Sequence, residues 1–158
     1  MRSWQLWVVV GLSGMAISVH TAVAAQADDT GPPADDLNSF PLASGNYTGS
    51  GASYGWVFFT TPDGRPCGIA PNGGPIGCDA VPADAPPGTN QTVADAADPA
   101  QYLYSDAPIF TRDAPVLPAG QRVQTVGGIC AVDYQGAVHC ATEGSHGFIL
   151  STDTGVLW

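Results

Sequence analysis

The residues best suited to chemistry lie near the C-terminal end: His139 and His146, with Asp133, Glu143 and Ser145 around them. Two imidazoles and two carboxylates are a donor set for a divalent metal. The spacing argues against that reading, because six residues between the histidines is neither the i,i+4 pair of a helical zinc site nor a finger interval. Ser145 beside His146, with Asp133 upstream, suggests a hydrolase. Neighbouring side chains rarely face each other, however, and the sequence has no G-x-S-x-G elbow. A simpler reading makes Gly144-Ser145-His146-Gly147 a turn into a final strand, with His146 bonded to a backbone carbonyl. A third candidate is a sugar or lipid platform built from Trp56, Phe58, Phe59, Phe148 and Trp158, although aromatics at strand spacing usually build a core. No catalytic, cofactor-binding or metal-binding residue is assigned, and no cofactor is expected.

Four cysteines define the elements that would hold these groups. Cys130 and Cys140 frame a hairpin whose register follows from addition: both sum to 270, as do Val132 with Val138 and Asp133 with Ala137. One antiparallel register therefore sets cysteine opposite cysteine and valine opposite valine on the same face. Tyr134-Gln135-Gly136 is left as the tip, and glycine at its last position suits a type I turn followed by a left-handed residue. His139 then points away from the Cys140 face. The same arithmetic works for Cys67 with Cys78, which sum to 145, as do Ile69 with Ile76. The first unit is C-x-I-x4-G-x-I-x-C and the second C-x-V-x3-G-x-V-x-C, one hairpin written twice with an extra loop residue in the first. Of the three ways to pair four cysteines, Cys67–Cys78 and Cys130–Cys140 are the pairs that share a register with their aliphatic neighbours. Two copies imply two similar units packed in one core and not a solenoid, which needs three or more.

Composition bounds the rest. Asp and Glu number 14 against 4 Lys and Arg, a net charge of −10, which leaves no basic stripe for nucleic acid and no electrostatic docking on anionic lipid. Residues 1–27 read as a secretory signal: Arg2, an apolar run from Trp4 to Val19, and small-residue cleavage sites at Ala22-Val23-Ala24 or Ala25-Gln26-Ala27. The run is shorter than the ~20 apolar residues of a spanning helix, so membrane association is expected only if the segment is retained. Export to an oxidising space makes cysteine pairing the default. Residues 28–45, rich in acids and prolines, read as a flexible linker, and 46–158 as the β domain, about 110 residues able to bury one modest core.

Within that domain Tyr54–Thr61 is the segment most prone to extend, with Trp56 and Phe58 on one face and Val57 and Phe59 on the other. Two apolar faces suggest a strand inside a sandwich or barrel and not at a solvated edge. Pro62-Asp63-Gly64 turns the chain. Residues 80–100 read as a long surface loop with one helical turn near Val93–Ala97. Tyr102, Tyr104, Ile109 and Phe110 bring the chain back to the core. Pro118-Ala119-Gly120 leads into a strand over Gln121–Val126. A last hairpin pairs Phe148-Ile149-Leu150 with Val156-Leu157-Trp158.

Several of these blocks together, FTTPDGRPC (Phe59–Cys67), Gly77-Cys78, LPAG (Leu117–Gly120), GGIC (Gly127–Cys130), GAVHC (Gly136–Cys140) and HGFILS (His146–Ser151), resemble a family of exported actinobacterial, mycobacterial-type proteins known as a domain of unknown function. Departures from its pattern are Asp63 for the usual serine, Arg65-Pro66 for Asn-Ile, and an expanded middle from Ala80 to Asp106. The resemblance implies secretion, two disulfides and a small β domain, and brings no activity or catalytic residue. The expected protein is an all-β, disulfide-stapled sandwich or barrel-like domain with an internal hairpin repeat. Its expected role is that of a non-catalytic binding or structural module of the cell envelope, with an envelope glycan, lipid or protein as partner. A small secreted hydrolase or metal-binding protein using His139 and His146 is the alternative. Intact-mass analysis of protein recovered from culture supernatant should show cleavage between Ala24 and Asp28; a full-length chain confined to membranes would contradict export in soluble form.

Overall fold

A computed structural model describes residues 34–158, so the proposed leader and the first residues of the linker lie outside the described residues. Among the described residues ten strands form two antiparallel five-stranded sheets, each a simple meander. The first holds β1 (Val57–Thr60), β2 (Pro66–Ile69), β3 (Ile76–Cys78), β4 (Gln91–Ala94) and β5 (Gln101–Leu103) in that order. The second holds β6 (Gln121–Thr125), β7 (Gly128–Val132), β8 (Val138–Thr142), β9 (Gly147–Leu150) and β10 (Gly155–Leu157). The described residues thus form an all-β class sandwich, almost without helix, that carries an internal hairpin repeat.

Both cystines form in the expected registers, Cys67 opposite Cys78 and Cys130 opposite Cys140. Ladder phase explains why cysteine fits there. Ala70 N–H donates to Pro75 O and Asp79 N–H to Pro66 O, while Asp133 N–H donates to Ala137 O. Pairs two apart from these bond as well, so each cystine falls at a non-hydrogen-bonded site, where opposite residues approach most closely. Their Cα atoms lie 4.0 and 4.1 Å apart. Gly136 ends the second hairpin tip at φ +88°, and the extra residue of the first sits in the tip Pro71-Asn72-Gly73-Gly74, with Asn72 and Gly73 both at positive φ.

Equivalent strands of the two sheets face one another: β1 over β6, β2 over β7, β3 over β8 and β4 over β9. Both cystines turn into the space between the sheets, with Phe59, Ile69, Ile76, Leu117, Val132, Val138, Phe148 and Leu150. Like strands on like strands, with like faces inward, are what an approximate two-fold axis running between the sheets and across the strands produces.

A second feature obeys the same relation. Ahead of β6, Pro115-Val116-Leu117 runs parallel to β1 of the first sheet: Thr60 N–H donates to Pro115 O and Leu117 N–H to Thr60 O. Ahead of β1, Pro41-Leu42-Ala43 runs parallel to β6 of the second sheet, where Arg122 N–H donates to Pro41 O and Ala43 N–H to Arg122 O. Each half thus lends its lead-in segment to the other. The middle residues Leu42 and Val116 face solvent, while Ala43 and Leu117 turn to the core.

Five expectations need correction. Of Tyr102, Tyr104, Ile109 and Phe110, only Phe110 is buried, while Tyr104 and Ile109 are exposed. The described part of the 28–45 segment is docked: α1 (Ala34–Leu37) lays Leu37, 3% exposed, with Phe40 on the outer face of the second sheet against Ile129, Ala131 and Ala141. The span 80–100 is not a single loop, because it holds β4, whose Gln91 and Thr92 are buried, and there is no helical turn at 93–97. β1 stands last in its sheet; its free side is capped by the Thr48–Val57 and Thr60–Val116 bridges, and its outer face is apolar because Trp56, Phe58 and Phe110 cluster there. The last hairpin pairs Leu150 with Gly155 and Phe148 with Leu157, one residue from the expected register. Ser151 fixes that turn, its hydroxyl accepting from the N–H groups of Asp153 and Thr154.

Replacing Cys130 and Cys140 together by alanine should lower stability by about 3 kcal/mol. Equilibrium denaturation of the oxidised protein measures this, and a loss below about 1 kcal/mol would show that the second half does not rely on its staple.

Candidate functional site

His139 and His146 do not converge. His139 leaves β8 on the outer face at the tip end, half-buried, its Nε2 2.9 Å from Asp133 Oδ2. His146 lies beyond the other end of the strand in a turn where its backbone N–H donates to Thr142 Oγ1 and its carbonyl accepts from Thr142 N–H. Ser145 occupies the left-handed region in that turn, at φ +66°, and Glu143 is exposed. No group of three or more His, Cys, Asp or Glu among the described residues could hold a metal. Cys67, Cys78, Cys130 and Cys140 are fully buried and paired.

Asp133 serves the hairpin tip. Its Oδ1 accepts from the N–H groups of Gln135 and Ala137, and its Oδ2 faces His139. Burial pushes this carboxyl up, but the bonds from His139, Ala137 and Gln135 and the imidazole charge outweigh it and hold the acid below its ordinary range. Asp63 behaves likewise: burial raises it, while the Thr61 hydroxyl and the Arg65 guanidinium bring it lower still.

Each arginine of the described residues has a structural partner. Arg65 pairs with Asp63 and crosses to the second half, giving Nη1–H to Leu150 O at 2.7 Å and Nη2–H to Gly136 O at 2.8 Å. Arg122 bonds Gln124 and donates Nε–H to Phe40 O, tying the lead-in of the first half. Arg112 lies over the Phe58 ring, 5.0 Å from its centroid.

That third arginine lines a cleft. Residues 46–50 and 112–115 approach each other over β1 and leave a hollow of about 250 Å³, floored by Phe58 and rimmed by Asn46, Thr48, Ser53, Arg112 and Asp113. The floor is packed from below: Phe58 stacks on Trp56 at 5.4 Å and 3°, and Phe110 tilts against Trp56 at 6.4 Å. Gly68 and Gly77 make room for that cluster, since a Cβ on Gly77 would stand 2.6 Å from the Phe110 ring. Asp79 locks Phe110 in place, accepting from the N–H groups of Ile109, Phe110 and Thr111 and from the Thr111 hydroxyl. A smaller cleft of about 210 Å³ lies on the outer face of the second sheet near Gln124, Thr142 and Glu143.

Of the five aromatics proposed as a platform, Phe59 and Phe148 are core, Phe58 is the nearly buried floor, and Trp56 and Trp158 are half-buried. Sequence reasoning missed the rim, whose small polar residues carry no periodic signal. Among the described residues no helix is long and apolar enough to cross a membrane. The two cystines fit an oxidising environment. Comparison of the chain with family models, curated proteins and solved structures finds no match.

Asp63 and Asp133 titrate lower folded than unfolded, so the unfolded chain takes up protons first as pH falls. Their contribution is complete above the ordinary carboxylate pKa of about 4 and is lost on acidification below it. Thermal melts across that range should show Asp63→Asn and Asp133→Asn each flattening the acid limb of the wild-type curve; an unchanged limb would mean these bonds add nothing to folding.

Proposed function

We propose that this protein is a non-catalytic binding module of the cell envelope or its surroundings, exported and oxidised there, and that the Phe58 cleft receives a polar, uncharged ligand of the saccharide class. The observation that carries the reading is the composition of that cleft: a nearly buried ring, stacked on Trp56 and overlaid by Arg112, beneath a rim of amide, hydroxyl, carboxylate and guanidinium groups. Such a mixture matches a ligand with apolar C–H faces and many hydroxyls. Membership of an exported actinobacterial family is part of the same proposal and accounts for the leader and the paired cysteines.

A hydrolase reading would draw on the His139–Asp133 pair. It is the weaker one, because that carboxylate already serves two backbone N–H groups of a tip.

The test is a thermal-shift and calorimetric screen of the mature protein against soluble envelope polysaccharide fragments. Binding of at least one is expected, weakened tenfold or more by Ser53→Trp, which fills the hollow, and by Arg112→Ala. Binding that survives both replacements in folded protein would place the ligand elsewhere.

A further inference from the structure

Each half of this chain is incomplete in the same two ways. Its inner sheet face, cystine included, is covered by the equivalent face of the other half. The edge beside its first strand is filled by the other half's lead-in, Pro115–Leu117 on β1 and Pro41–Ala43 on β6. The ties between halves follow suit: Arg65 reaches Gly136 and Leu150, while Arg122 reaches Phe40.

Nothing covalent except the backbone joins the halves, because both disulfides close within a half, across separations of 11 and 10 residues. The connecting segment is residues 104–114. It is exposed from Asp106 to Ile109 and again from Thr111 to Asp113, with Phe110 and the Asp79 bonds as its anchor on the first half.

We propose that the sandwich is a dimer of halves written in one chain, and that a second copy of this chain can supply either half. The surface concerned is the inner face together with the lead-in groove beside β1 or β6, and the partner that fits it is the complementary half, whichever molecule carries it. Within one molecule the connecting segment keeps the two halves at high effective concentration, which favours the closed monomer. Freed of that tether, the same contacts serve between molecules, as in exchange of equivalent elements between protomers.

The test uses the full chain with a site-specific protease sequence inserted in the connecting segment. Two placements, after Asp106 and after Pro108, guard against an insertion that itself prevents folding. Cut under non-reducing conditions, the halves should co-elute at the mass of the uncut protein. When a nitrogen-15-labelled cut sample and an unlabelled one are unfolded together and refolded, native mass spectrometry should find hybrid complexes as often as parental ones. Halves that separate or aggregate on cutting would overturn the proposal. So would either half, isolated, keeping the near-ultraviolet circular dichroism of the sandwich, since that half would not need the other.

Discussion

A five-stranded meander with one apolar face is stable only when that face is covered, and here the cover is the equivalent face of a second meander. Everything else follows from closing that space. The cystines sit at the layer's centre, where they occupy volume and fix the register on each side. The inward positions of β4 and β9 divide the remaining volume unequally, with Thr92 and Ala94 in one half and Phe148 and Leu150 in the other. Thr92 avoids an unpaired hydroxyl by donating to Ala80 O at 2.8 Å.

The outer faces are managed differently and without symmetry. On the first sheet a pair of opposed glycines, Gly68 and Gly77, admits an aromatic cluster that Arg112 covers. On the second, small apolar residues receive the α1 arm. The asymmetry decides where a hollow with a ring beneath it forms, because of the two outer faces the first carries the Phe58 ring under polar groups. With so few cations in the chain, Arg65 and Arg122 are taken up by ties between the halves, and Arg112 lies over the Phe58 ring beside the hollow.

The stapled hairpins were legible because antiparallel pairing is arithmetic: once Cys67 is set against Cys78, the isoleucines must agree, and they do. β4 was not legible. Its inward residues, Thr92 and Ala94, are small or polar, its larger Val93 faces outward, and the flanking Pro, Gly and Asp are loop-like. The repeat held the missing signal, since a strand follows the second hairpin at Gly147–Leu150 and the first hairpin therefore requires its counterpart. The docked arm escaped notice for a similar reason. Leu37 and Phe40 are isolated apolar residues in an acidic stretch, and nothing local says that a face of Ile129, Ala131 and Ala141 awaits them. The cleft was least legible of all, because its parts come from segments 46–50 and 112–115, far apart in sequence, which meet only when the lead-ins exchange.

Because each cystine joins residues only ten or eleven positions apart, its formation does not depend on the rest of the chain having arrived. Once one staple has closed, its thiols are no longer there for the other to capture in error. The topology protects the pairing by proximity along the chain, so correct oxidation is a local event that calls for little correction by disulfide exchange.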